Sequence, residues 1–284
     1  MARNRERVGA QNIKNDPPPQ ALGNNEAAPF SFVVPTEFVE LPSEGRYYPE
    51  GHPLHNQETI EIKHMTAREE DLLTSRALLK KGIALERLLD SVIINKNIRA
   101  ADLLVGDRNA ILVAARVSGY GPDYKTKVTC PACGTVQASV FNLNNLDSFY
   151  GTGYTEQEAV HQGNGIFTTT LPRTKVEVTY KLLRGSDERN LMNKLENQKK
   201  AKKEESLVTD QLRQIIVAVN GATDQASINY LVDNIPSIDA SHLRFTAKLT
   251  TPNVDMTQDF ECQACEFEQE LEVPLTADFF WPDR

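Results

Sequence analysis

Cys130-Pro131-Ala132-Cys133 and Cys262-Gln263-Ala264-Cys265 hold between them all four cysteines of this 284-residue chain. Two CxxC pairs are the ligand set of a structural metal site, each i,i+3 pair wrapping one edge of a tetrahedral ion. Four thiolates in a non-redox setting favour zinc over iron. The separation is the unusual part. A compact zinc ribbon closes within about 15–20 residues, whereas Cys133 and Cys262 lie 129 positions apart (262 − 133). Either a large insertion splits one ribbon, or the chain contains two similar halves.

Hydrophobic content of 40% and charged content of 25% are ordinary globular values, which argues against wholesale disorder. The net charge of −8 argues against generic nucleic-acid binding, because neutralising phosphates needs a concentrated basic surface. No apolar run approaches the roughly 18 residues of a membrane span, and no apolar signal-peptide core is present near Met1. A reducing compartment is the expectation, and there paired cysteines are metal ligands more often than disulfides.

Residues 1–28 carry Arg3, Arg5 and Arg7, an Asn-rich stretch and Pro17, Pro18 and Pro19. Such a composition cannot offset the entropy of ordering it, so it reads as a disordered arm that docks on a partner. Residues 29–149 read as a first half. Leu41 to Leu54 is a Pro/Gly-rich loop whose Tyr47 and Tyr48 offer contact area. Ile60-Glu61-Ile62-Lys63 alternates like a half-buried strand, and Thr66 with Glu69 forms a capping box that opens a helix to about Lys80. A second helix follows near Leu85 to Ile94. Asp107 is placed as the cap of a third, from Arg108 to about Ser118, and strands at Tyr124–Thr129 and Val136–Phe141 flank the first CxxC.

Residues 150–172 read as a linker, and residues 173–284 repeat the order of elements. Val176 to Tyr180 alternates as a strand, Asp187 to about Glu205 is a charged helix, and Asp210 to Val219 is an apolar-faced helix stopped by Asn220-Gly221. A short helix spans Ile228 to Ile235, and Asp239 caps one more before the second CxxC. Cys262 − Cys130, Cys265 − Cys133 and Asp239 − Asp107 all equal 132, whereas Ile62 and Val178 are 116 apart, so the upstream match needs insertions. The fold expected is α+β, in two pseudo-repeated halves that each end in a CxxC hairpin and share one ion through Cys130, Cys133, Cys262 and Cys265. A redox dithiol would place its CxxC at a helix N-terminus, but strand-like residues follow both motifs here.

Other candidate chemistry is weaker. His52 and His55 lack a carboxylate or cysteine to complete a site, and Tyr150–Gly165 lacks the spacing of a phosphate-binding loop. Lys199, Lys200, Lys202 and Lys203 read as a solvated helix face. No Ser/His/Asp or paired-carboxylate constellation appears, so no enzyme is expected.

The segments Phe38-Val39-Glu40-Leu41-Pro42-Ser43-Glu44-Gly45, Ile60 to Glu70 and Cys130-Pro131-Ala132-Cys133-Gly134 together resemble the baseplate hub proteins of T-even-type contractile-tailed phages. The resemblance covers most of positions 38–143 and implies a structural, non-catalytic part of the tail baseplate or of its assembly intermediate. It also implies other baseplate subunits as partners and the virion tail as location, with host cytoplasm during assembly. The competing expectation is a zinc-ribbon adaptor binding nucleic acid or the transcription machinery.

Overall fold

Phe38, Val39, Ile60 and Ile62 supply the β-branched and aromatic positions of an antiparallel pair, β1 (Thr36–Glu40) with β2 (Thr59–Lys63), in which Val39 faces Ile60. The computed structural model describes residues 33–200, 206–273 and 277–280. The arm expected at 1–28 lies outside the described residues, as do the side chains of the lysine cluster at 199–203.

After β2 come α1 (Ala67–Thr74), α2 (Arg76–Lys80), α3 (Ala84–Val92) and α4 (Val105–Tyr120). Next are β3 (Asp123–Thr129), β4 (Val136–Asn142), β5 (Asp147–Phe149), β6 (Val160–Gly163), β7 (Ile166–Thr170) and β8 (Glu177–Lys181). The chain continues through α5 (Gly185–Lys200), α6 (Leu207–Ile215), β9 (Ile216–Val219), α7 (Gln225–Asn234) and α8 (Ser237–Thr250). It closes with β10 (Asn253–Asp255), β11 (Thr257–Glu261) and β12 (Glu268–Glu272). This mixture of helix and strand is the α+β class expected. The largest sheet is antiparallel, in the order β6-β7-β8-β9; the other strands form two-stranded pairs, including β5 with β10.

Thr66 and Glu69 open α1 as the sequence predicts. The Glu69 carboxylate accepts from the Thr66 N–H at 2.9 Å and its hydroxyl at 2.6 Å, and from Lys63 Nζ at 2.7 Å and Ser91 Oγ at 2.6 Å. The single helix expected to run to Lys80 is instead broken at Ser75, whose ψ of 107° is extended. Thr74, the last residue of α1, turns its hydroxyl back onto the Glu70 carbonyl at 2.9 Å, the local side-chain bond by which Ser and Thr disfavour a continuous helix.

Asp107 and Asp239 do not cap the helices that follow them. Each is the third residue of its helix, which begins at Val105 or Ser237, and each reaches outward. Asp107 accepts from the Ser43 N–H at 3.0 Å and from the Ser43 and Tyr48 hydroxyls at 2.7 Å each. Asp239 accepts from the N–H groups of Arg173 and Thr174 at 2.8 and 3.0 Å. Each acid therefore ties a helix start to the turn after a strand, β1 or β7. Tyr47 and Tyr48, expected as contact area, are core residues at 3% and 0% exposure.

The segment 150–172 contains β6 and β7. The apolar-faced helix expected to reach Val219 ends at Ile215, because Ile216-Val217-Ala218-Val219 is a β-favouring run that pairs with β8. One apolar core extends from Val39 to Phe280 and draws on both halves of the chain.

Candidate metal centre

The base of the first hairpin is pinned by a buried cation. Arg116 of α4 donates from Nε to the Phe279 carbonyl at 2.7 Å, from Nη1 to the Gly121 carbonyl at 2.7 Å, and from Nη2 to the Asp123 carbonyl at 3.2 Å. From this base β3 and β4 run antiparallel to the facing pair Thr129 and Val136, with Cys130 to Thr135 in the turn. In β11 and β12 the last facing pair is Glu261 and Glu268, with Cys262 to Phe267 in the turn.

The two turns make the same hydrogen bonds. The Cys130 N–H donates to the Thr135 carbonyl at 2.8 Å, and the Cys262 N–H donates to the Phe267 carbonyl at 2.9 Å. The Gly134 and Glu266 N–H groups donate to the carbonyls of Cys130 and Cys262, both at 2.9 Å. This path needs a left-handed residue after the second cysteine. Gly134 supplies it at φ 72°, but in the second turn Glu266 is held at φ 53°.

The turns bring all four sulfurs within 4.8 Å of one another. Cys130 Sγ lies 3.8 Å from Cys265 Sγ, and Cys133 Sγ lies 3.7 Å from Cys262 Sγ, so each hairpin's sulfurs touch those of the other. A tetrahedral ion with bonds of about 2.3 Å to four thiolates has edges of about 3.8 Å, and these separations fit it. Cys130 and Cys262 are buried beside Phe260, while Cys133 and Cys265 face solvent. All four cysteines are free thiols, and neither motif opens a helix.

The thiols have unequal acidity. Hydrogen bonding to Thr135 brings Cys133 down to about 6. The Phe267 amide lowers Cys265, but its thiol neighbours, Cys133 foremost, outweigh this and push it up to about 12. Clustered thiolates repel one another in the absence of a cation, and a bound cation reverses that balance.

Two glutamines, which nothing in the residue pattern marks, join the hairpins, one beside the sulfurs and one at the base of the first hairpin. Gln137 of β4 donates to the Glu261 carbonyl at 2.8 Å and accepts from the Gln263 N–H at 3.0 Å, thereby gripping both sides of Cys262. Gln258 of β11 donates to the Asn142 carbonyl at 2.8 Å and accepts from the Asn142 N–H at 3.2 Å. The histidines are occupied elsewhere: His52 stacks on Tyr48, and His55 Nδ1 lies 2.7 Å from the Tyr48 carbonyl. Among the described residues the four cysteines are the one group placed to hold a metal ion. No helix among them is long and apolar enough to cross a membrane.

Fold and site together define an α+β protein with a four-cysteine cluster, compatible with a metal, where two hairpins meet. A family model described as T4 bacteriophage base plate protein matches residues 35–281, and the chain belongs to that family. Membership makes it a structural component of a phage tail base plate. Searches of curated proteins and of solved structures find no match.

Proposed function

We propose that this chain is a non-enzymatic subunit or assembly component of the hub of a contractile-tail baseplate, held together by one zinc ion bound through Cys130, Cys133, Cys262 and Cys265. The convergence of four free thiols from two hairpins carries the metal reading. Residues 1–28 dock on a neighbouring subunit, and assembly takes place in the host cytoplasm before the part is locked into the tail.

We further propose that the chain is an internal duplication, with halves at 29–149 and 173–284 and a connection at 150–172 whose β7 extends the second half. Paired contacts support this. Lys63–Glu69 and Lys181–Asp187 both meet at 2.7 Å. Ile62 bridges to Ile93 at the end of α3, and Tyr180 pairs with Ile216 at the end of α6. Tyr180 is thus the counterpart of Ile62, two residues beyond Val178 and on the same face of the strand. Asp107 and Asp239 tie α4 and α8 to the turns after β1 and β7. Each half alone offers two thiolates, too few to saturate zinc.

Metal analysis of protein purified without chelator tests the site, with one zinc per chain expected; none, or two, sinks it. Mass spectrometry of proteins co-purifying from infected cells tests the partners, and baseplate subunits are expected. Nucleic acid binding with a steep salt dependence would instead favour an adaptor. The exposed acids of the second hairpin oppose that alternative.

A further inference from the structure

The outward faces of the two hairpins have opposite character. Residues facing each other across a ladder share a face of the sheet. On the second hairpin Thr257, Asp259 and Glu261 face Glu272, Glu270 and Glu268, so five carboxylates share one exposed surface. Asp259 lies opposite Glu270 and Glu261 opposite Glu268, like-charge pairs that weaken their own hairpin. None is in an ion pair among the described residues, and no lysine or arginine occurs from 257 to 272. The opposite face is engaged within the molecule: it carries buried Phe260, and Gln258 binds Asn142.

At the corresponding positions of the first hairpin, 132 residues earlier, the outward face is basic and apolar. Lys125 and Lys127 are exposed beside Val136 and Val140, which are 59% and 61% exposed. Val136 and Val140 stand where the second hairpin has Glu268 and Glu272, and Lys127 stands where it has Asp259. Two sheet faces with the same backbone register, each without a partner among the described residues, therefore match one another in charge, while each lies on the outside of its own hairpin.

We propose that copies of this chain associate head to tail, the acidic face of the β11–β12 hairpin in one copy seating on the Lys125/Lys127/Val136/Val140 face of the β3–β4 hairpin in the next. The occupant of each face is a second copy because the complement of either surface is the other surface of the same chain. Such a contact is heterologous and generates a ring where the rotation closes and a filament where it does not. Each face is about five residues long, roughly 17 Å at 3.4 Å per residue. It is therefore smaller than a standard interface, and the association is weak and governed by salt. The contact rests on the two hairpin surfaces and not on the identity of the metal.

Sedimentation velocity on the full zinc-loaded chain, over a concentration series in about 10 mM and about 1 M salt, tests this. At low salt the weight-average mass should climb above the 31.7 kDa monomer, and at high salt it should return to it. K125E/K127E should weaken association at least tenfold, and adding D259K/E268K/E270K/E272K to the same chain, which turns the acidic face net positive, should restore it. Zinc content and thermal melting of each sample show that the variants are folded and loaded. A zinc-loaded wild type that stays monomeric at low salt overturns the contact and leaves the metal joint standing. So does a K125E/K127E chain that associates undiminished, or a folded six-residue swap that fails to recover association.

Discussion

Glu69 is the residue whose chemistry can be followed furthest. Its side chain is fully buried. Burial pushes its pKa up, but hydrogen bonds from Lys63, Ser91 and Thr66 outweigh that and hold it down at about 2. A carboxylate depressed in the folded state contributes all its stability above the unfolded pKa, about 4.3, and loses it as pH falls through the folded value. Wild type should therefore lose about 2.5 kcal/mol relative to Glu69→Gln between pH 4.5 and 2, most of the roughly 3 kcal/mol that the whole shift represents. Near neutrality the variant should be less stable by about 1.5–3 kcal/mol, the worth of hydrogen bonds to a charged group. Parallel denaturant titrations check both, and because both proteins keep the same thiols, acid release of a metal cancels in the difference. A gap between the two proteins that does not change with pH would remove Glu69 as the source. At the thiols, Cys130→Ser leaves three sulfurs; zinc per chain should fall well below one, and full retention by metal analysis would mean that the site is built otherwise.

Among the elements, the two CxxC turns follow one backbone path but place different residues at its left-handed position. Gly134 occupies the left-handed region without steric cost, whereas Glu266 occupies it with a Cβ. Glu266→Gly should stabilise the second hairpin by up to about 1 kcal/mol, read as a higher melting temperature with unchanged zinc content. A drop would mean that the Glu266 side chain contributes more than its strain costs. The capping box at Thr66 and the cysteine turns rest on local spacing, and local spacing is written in the chain. The reach of Asp107 to Ser43 and Tyr48, and the burial of Tyr47 and Tyr48, are decided by partners distant in sequence, so propensity alone misses them. The strand at Ile216–Val219 was readable in its β-branched run, but the helical periodicity preceding it masked the change. Gln137 and Gln258 carried no signal, because a polar residue on an alternating strand reads equally well as solvated.

At the level of the whole molecule, the relation between core and metal decides what loss of the ion does. The main apolar cluster spans residues 39 to 280 and does not include the cysteines; Cys130 and Cys262 belong to a small separate cluster with Phe260. The halves are also joined away from the sulfurs: β5 pairs with β10, Arg108 pairs with Glu188, and Arg184 donates to the Asp102 carbonyl at 2.9 Å. A metal that binds only the folded state, present at 1,000 times its dissociation constant, adds about 4 kcal/mol. In a chain of this size that is a melting shift of about 8–16 °C. Chelation should therefore lower the melting temperature by that order without unfolding the protein at room temperature. Hydrogen exchange should locate the loss. Amides of residues 123–142 and 257–272 are expected to exchange faster without metal, while α4, packed in the main core, keeps its protection. The Gln137 and Gln258 amides span the same joint, so Gln137→Ala with Gln258→Ala should speed exchange in those hairpins even with metal bound. Exchange that rises uniformly along the chain on chelation would instead make the ion a condition of the whole fold, as in small domains that unfold without their metal. No change in either hairpin would leave the four sulfurs without a structural role.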